Sequence, residues 1–185
     1  MKQHAIWKQL KFVTGNPNKL REAQEILGIE MEQGVADHLQ EIQTNDIRQL
    51  VEHKAMEAWR EFNCPVLVED SGLVFTAWNG LPGALVKWFE KSVGCEGMLK
   101  MLESFEDRTA EAVCLAAVYD GKTMVVGDGR VTGTIARETR GDQGFGWDVI
   151  FIPDSETRTY AEMSPEEKNA RSHRRRAFES LKKQL

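Results

Sequence analysis

No stretch of this chain approaches the roughly 18 consecutive apolar residues that a spanning helix requires, so no membrane partner is expected. Around Lys2, His4 and Lys8 the apolar residues are scattered, with no run of secretory length, and the cytoplasm is the expected location. Cysteine is scarce. Cys64, Cys95 and Cys114 are odd in number and too far apart for a zinc knuckle or a C-x-x-C redox pair, and they read as reduced, mostly buried thiols. An excess of positive charge is missing too: the net charge of −5 supplies no field that would draw in nucleic acid or an anionic membrane. The one basic concentration is Arg171, Arg174, Arg175 and Arg176, with Lys182 and Lys183 close behind, which is either a local anion site or a solvated helix face. Repeats, low-complexity tracts and linkers are also absent. The 185 residues, 41% of them hydrophobic, suffice for one domain spanning 1–185 with a full core, and not for two.

The chain is α/β in pattern. Lys11-Phe12-Val13 reads as a short strand and Thr14-Gly15-Asn16 as a turn; Pro17 then opens a helix behind an Asn16 cap, and Gly28 closes it after the stripe Leu20, Ala23, Leu27. From about Asp46 to Phe62 the apolar residues Ile47, Leu50, Val51, Ala55, Ala58, Trp59 and Phe62 follow the 3.6-residue period, with Lys54 on or beside their stripe. Pro65 to Val68 suits a buried strand that ends in Glu69 and Asp70. Ala110 to Tyr119 and Thr123 to Ala136 read as a hairpin about Asp120-Gly121-Lys122, and Val149 to Ile152 as a further short strand. Ser164, Pro165 and Glu167 announce a final helix through a capping box. Helical and strand segments in this order indicate a mixed sheet with flanking helices.

Four segments carry polar residues suited to chemistry. At Thr14 to Lys19, a strand-to-helix turn offers free backbone N–H groups and the positive end of a helix dipole, with the cation of Lys19 beside them. It lacks the paired glycines and Lys-Ser/Thr of a Walker A loop, and plain helix capping accounts for the same residues. Glu69 and Asp70 at a strand end are placed to hold a hard divalent cation and activate water, or else form an exposed turn. Gly141, Gly144 and Gly146 bracket Phe145, Trp147 and Asp148, which suits aromatic faces held against a flat ligand with Asp148 at its edge; core aromatics in a turn fit equally. Lys168, His173 and Arg174 form a cationic segment, although a continuous helix would splay Lys168 and His173 by roughly 140°. Either the helix breaks near Ser172 or only some of the three share a site.

Taken together, F-V-T-G-N-P-N-K, L-V-E-D-S-G-L, L-P-G-A-L-V-K-W-F, F-G-W-D and T-Y-A-E-M-S-P-E-E-K-N-A-R-S-H-R run in order over nearly the whole chain. With these segments it closely resembles the inosine triphosphate pyrophosphatase family, the Ham1 or RdgB-like enzymes, and Trp147 brings it nearer the archaeal and eukaryotic members. The resemblance implies an elongated mixed β-sheet with flanking helices, two lobes around a central cleft, and a homodimer. It also implies Mg²⁺-dependent hydrolysis of ITP, dITP and XTP to the monophosphate and pyrophosphate. On the matching positions, Thr14, Gly15, Asn16, Pro17, Asn18, Lys19 and Lys54 would bind phosphate, and Ser71 would contact substrate. Asp70 would be the metal-associated acid that activates water, Glu41 a metal ligand, and Lys87 an aid in the cleft. Phe145, Gly146, Trp147, Asp148, Lys168, His173 and Arg174 would enclose the base. A Maf-type nucleotide pyrophosphatase is the nearest rival, and F-G-W-D and S-H-R argue against it. Net acidity and the acid pair count against a non-catalytic nucleotide or RNA binding protein.

Overall fold

The computed structural model describes residues 10–36 and 39–185. Lys2, His4 and Lys8 lie outside that range. Lys11–Val13 forms β1, and the chain then turns into helix α1, Pro17–Leu27. The Asn16 side chain accepts from the Asn18 N–H, and Gly28 ends the helix in the left-handed region at φ 67°, where glycine meets no Cβ penalty. Glu32–Gly34 (β2) returns parallel to β1. Helix α2, Ile47–Phe62, starts at an Asp46 cap and buries Ile47, Leu50, Val51, Ala55 and Ala58, the face that the sequence period marks.

The central strand β3 runs from Val66 to Phe75, longer than its apolar run suggests. Glu69 and Asp70 therefore lie within a strand, not at its end, and no exposed turn forms at Glu69 to Gly72. The reason is lateral pairing: β5, Thr109–Tyr119, matches every residue of β3 from Val66↔Tyr119 to Phe75↔Ala110. On the other edge β1 pairs only at Lys11↔Val66 and Phe12↔Leu67, and the short strand β4, Pro82–Gly83, takes over at Leu73↔Gly83. Between these partners, among the described residues, one edge of β3 carries no strand, and there Glu69, Asp70 and Ser71 stand.

Helix α3, Val86–Met101, is broken at Gly94. β5 and β6, Met124–Ile135, form the expected hairpin. The strand placed at Val149 to Ile152 is shifted: Gly146–Val149 is a 3₁₀ turn and β7 is Phe151–Pro153, aligned by pairing with β6 from Gly133 to Ile135. The final helical region is two helices, α4 (Pro165–Arg171) and α5 (His173–Lys182), separated at Ser172 in extended backbone. Among the described residues the sheet has seven strands, in the order β2-β1-β3-β5-β6-β7 with β4 paired to β3.

Two lobes share this sheet. In the first, Leu67, Cys114 and Ala116 pack under α1 and α5 on one face, and Val66, Val68 and Leu115 pack under α2 on the other. In the second, Leu73, Phe75 and Ala112 at the far end of the strands pack with Leu102, Phe151 and Tyr160. Each large apolar side chain so enclosed contributes about 1.5 to 3 kcal/mol of burial energy. Gly129 of β6 allows α5 to lie directly on the sheet, because a Cβ there would collide with the His173 carbonyl and the Ala177 backbone nitrogen. Of the three free thiols only Cys114 is buried; Cys64 and Cys95 are partly exposed, which corrects the expectation of mostly buried cysteines.

Candidate active site

The unpaired edge of β3 forms the floor of the cleft. Alternation along the strand sends Glu69 and Asp70 to opposite faces, and they meet different environments. Glu69, wholly buried, receives the Arg174 guanidinium (Nε to Oε2 3.4 Å), the Cys114 thiol (3.0 Å) and the Ser71 hydroxyl (3.3 Å). Burial works against its charge, but Arg174 and then Lys19 outweigh it and hold the carboxyl far below the usual range. Asp70 opens toward α2 and retains 18% side-chain exposure. Lys19 reaches over the free strand edge to both acids, 3.0 Å from Glu69 and 3.3 Å from Asp70. Against its burial, Asp70 and Glu69 hold the Lys19 ammonium above its usual range, and against burial Lys19 and Lys54 hold Asp70 below its own.

Lys54 projects from α2 and lies 3.3 Å from Asp70 and 3.4 Å from Glu41, while Lys87 of α3 lies 3.4 Å from the second oxygen of Glu41. Two carboxylates therefore converge on one cationic position. Among the described residues no cluster of three or more His, Cys, Asp or Glu side chains does so. Two oxygen donors facing an open cavity suit Mg²⁺, which commonly takes one or two carboxylates and completes its shell with substrate phosphate and water.

The other wall of the cleft comes from the glycine loop and the C-terminal helices. Asp148 folds back to accept from the Phe145 N–H (2.8 Å) and from Lys168 (2.6 Å), so its Oδ2 braces the loop itself. Lys168 also binds Glu22 of α1 at 2.8 Å, and Arg174 pairs with the second oxygen of Glu22 and, at 3.0 Å, with Ser71. The break at Ser172 makes this possible. Its hydroxyl caps α5 by accepting from the Arg175 N–H, and the change of axis brings Lys168, His173 and Arg174 to one cavity. Lys168 uses two of its three donors and Arg174 three of its five, leaving N–H groups for a ligand. Both cations lie near the Phe145 ring, at 4.7 and 5.6 Å from its centroid. His173 stacks between Trp147 (5.1 Å) and Tyr160 (6.0 Å) with both ring nitrogens unpartnered; burial, then Arg174 and Lys168, keep its imidazole neutral.

Most of the residues singled out in the sequence come together. A cavity of about 320 Å³ is lined by Asn16, Asn18, Lys19, Asp70, Ser71, Lys87, Phe145, Gly146, Trp147, Asp148, Lys168, His173 and Arg174. An adjoining one of about 350 Å³ shares Lys87 and adds Thr14, Gly15, Glu41 and Lys54. Pro17 lines neither and starts α1. Arg171, Arg175 and Arg176 stay outside as well, holding Glu156, Glu179 and the Arg130 carbonyl on the surface, so only Arg174 of the basic cluster serves the cleft. Sequence reading missed Glu22 and Glu90. Glu22 lies one position off the apolar stripe of α1 and reads as solvated; the cations it joins are distant in sequence. Glu90 of α3 lines the cavity beside Val86, in a segment whose only sequence signal was the neighbouring L-P-G stretch.

Residues 10–184 match the family model described as the Ham1 family. The inosine triphosphate pyrophosphatase of Yarrowia lipolytica is 47% identical over 176 residues, covering 92% of each chain. The dITP/XTP pyrophosphatase of Ignicoccus hospitalis is 40% identical, covering 97% of this chain and 98% of its own. Among solved structures, a HAM1 protein from Coxiella burnetii superposes with a TM-score of 0.82 at 32% identity, over 95% of this chain and 98% of that one.

Proposed function

The chain belongs to the Ham1 family, and from that premise we propose the following account of its site and reaction. The protein is a nucleotide pyrophosphatase that hydrolyses ITP, dITP and XTP to the nucleoside monophosphate and pyrophosphate, residues 1–185 acting as one catalytic unit. The observation that carries this reading is the two-ended cleft: lysines and a solvent-reachable carboxylate at one end, an aromatic wall with spare cationic donors at the other.

The triphosphate enters over the N-terminus of α1, where the helix dipole is positive, Asn16 and Asn18 line the cavity and Lys19 and Lys54 supply charge. Asp70 takes the proton of the attacking water as its oxygen bonds to the α-phosphorus and the bond to the bridging oxygen breaks, releasing pyrophosphate. Glu69 is unsuited to that task, because it is fully enclosed and pinned by Arg174 and Cys114. Before substrate arrives Lys19 and Lys54 depress the proton affinity of Asp70. Phosphate oxygens draw both lysines away, so Asp70 becomes a better base as the substrate seats. The same lysines then stabilise charge on the equatorial and leaving oxygens.

Glu41 and Asp70 would hold Mg²⁺. When bound there it neutralises phosphate charge and lowers the pKa of water. At the other end, the spare N–H groups of Lys168 and Arg174 suit the 6-keto oxygen of hypoxanthine or xanthine, and would meet the 6-amino group of adenine as donors facing a donor. The reaction takes place in the cytoplasm, on a homodimer. Among the described residues no helix is long and apolar enough to cross a membrane.

Pyrophosphate release by the purified protein with Mg²⁺, comparing ITP, XTP and dITP with GTP and ATP, tests the assignment. Turnover of the first three well above the last two is the expected result. Equal turnover of all five, or of none, would overturn it.

A further inference from the structure

Glu69 takes no part in the chemistry, yet the two ends of the cleft meet on its carboxylate. Its Oε1 faces Lys19 of the phosphate end at 3.0 Å, and its Oε2 faces Arg174 of the base end at 3.4 Å. The two oxygens are served unequally. Oε2 also accepts from the Cys114 thiol at 3.0 Å and the Ser71 hydroxyl at 3.3 Å, whereas Oε1 lies near Lys19 without hydrogen-bond geometry. Charge alone holds Lys19 there, and with 16% of its side chain exposed it is free to turn toward an incoming phosphate. Arg174 is sealed in and has no such freedom. It is gripped by Glu22 and, at 3.0 Å, by Ser71, which leaves its 3.4 Å contact with Glu69 as the slack one.

Two cations that share one carboxylate compete for it. Lys19 offsets part of the Glu69 charge, and Lys19 and Arg174 repel each other. When phosphate draws Lys19 away, both effects vanish, and among the described residues the buried Glu69 charge keeps only Arg174 as an ion partner. The slack contact then tightens, and the Arg174 N–H groups not used by Glu22, Ser71 or Glu69 are fixed in the base cavity. On the nucleotide reading above, we propose that Glu69 is a positioning residue that couples the two ends of the cleft, so that seating the triphosphate sharpens the choice of base. Such coupling is reciprocal: the correct base must favour phosphate binding by the same factor.

The test adds inorganic triphosphate, which carries no base, and follows the Arg174 Nε–H signal by nitrogen NMR, assigned through its loss in Arg174→Lys. The signal should move in the unaltered protein and stay in place in Glu69→Gln. In Lys19→Met it should stand at the shifted position before any ligand is added. Failure of inorganic triphosphate to bind, a signal that its binding leaves unmoved, or an equal movement in Glu69→Gln would overturn the inference. If Glu69→Gln fails to fold, Lys19→Met carries the comparison: a signal already shifted supports the coupling, and one at the unaltered position overturns it. Calorimetric titration without divalent metal reads the consequence for the base. The preference for ITP over ATP should exceed that for IMP over AMP by about fivefold or more in the unaltered protein, and the two preferences should become equal in Glu69→Gln. Equal preferences in the unaltered protein overturn the inference. If inorganic triphosphate binds and no nucleotide does, the functional reading fails instead, and the Arg174 signal decides the coupling alone.

Discussion

The two ends of the cleft are built from similar residue types in opposite states. At the phosphate end, Lys19, Lys54, Asp70, Glu41 and Lys87 meet at 3.3 to 3.4 Å and stay partly open to solvent. At the base end, Lys168 holds Glu22 and Asp148 at 2.8 and 2.6 Å, and Arg174 joins Glu22 to Glu69, all nearly sealed from water. On the proposed reading, the first set is stretched and exchangeable because its own carboxylates stand in for the incoming anion. The second is already satisfied and rigid, as a site must be when it selects among bases by which donors remain. Catalysis and stability should therefore separate between neighbouring residues.

The sharpest test of that separation is Asp70→Asn. Turnover should fall by about 10² to 10⁴, while Tm moves by no more than about 3 °C; a large drop in Tm would show that the phosphate end is structural after all. Glu69→Gln, one position away, should do the reverse, costing roughly 1.5 to 3 kcal/mol in a urea unfolding measurement because it removes one of the two buried carboxylates paired with Arg174. Lys168→Met should reduce the preference for ITP over ATP by about tenfold, mainly through KM, and an unchanged preference would remove Lys168 from base reading. The smallest effect is expected at His173. Its folded-state pKa lies well below 6.5, so as pH falls from about 6.5 the unfolded chain takes up the proton first and stability declines toward the folded pKa. His173→Gln should flatten the fall of Tm between about pH 7 and 5 by about 3 °C per pH unit.

What was legible in the sequence was local. The Asn16 cap with Pro17 and Gly28, the Ser164 capping box and the β5–β6 hairpin each depend on a few adjacent residues, and each forms where its residues place it. The cleft residues were legible as motifs, and the structure brings together most of those named, though periodicity alone left the Lys168 to Arg174 geometry open until the Ser172 break resolved it. The course of β3 through Glu69 and Asp70 was not legible, because what extends it is a partner strand distant in sequence, from Glu69↔Ala116 to Phe75↔Ala110. Glu22 was hidden for a related reason: a polar residue beside an apolar stripe looks solvated unless its distant cations are known to be buried. Glu90 sat in a helix whose apolar pattern is interrupted at Gly94.

Among the described residues, the Glu22–Arg174 pair joins the first helix to the last one. Proteins are synthesised from the N-terminus, so the phosphate end emerges from the ribosome early and the base wall only with the final helix. A nascent or C-terminally truncated chain that ends before Ser172 would lack His173 and Arg174, and with them the cation that joins Glu22 to Glu69. On the proposed reading, the base wall is therefore complete only when the last helix is in place.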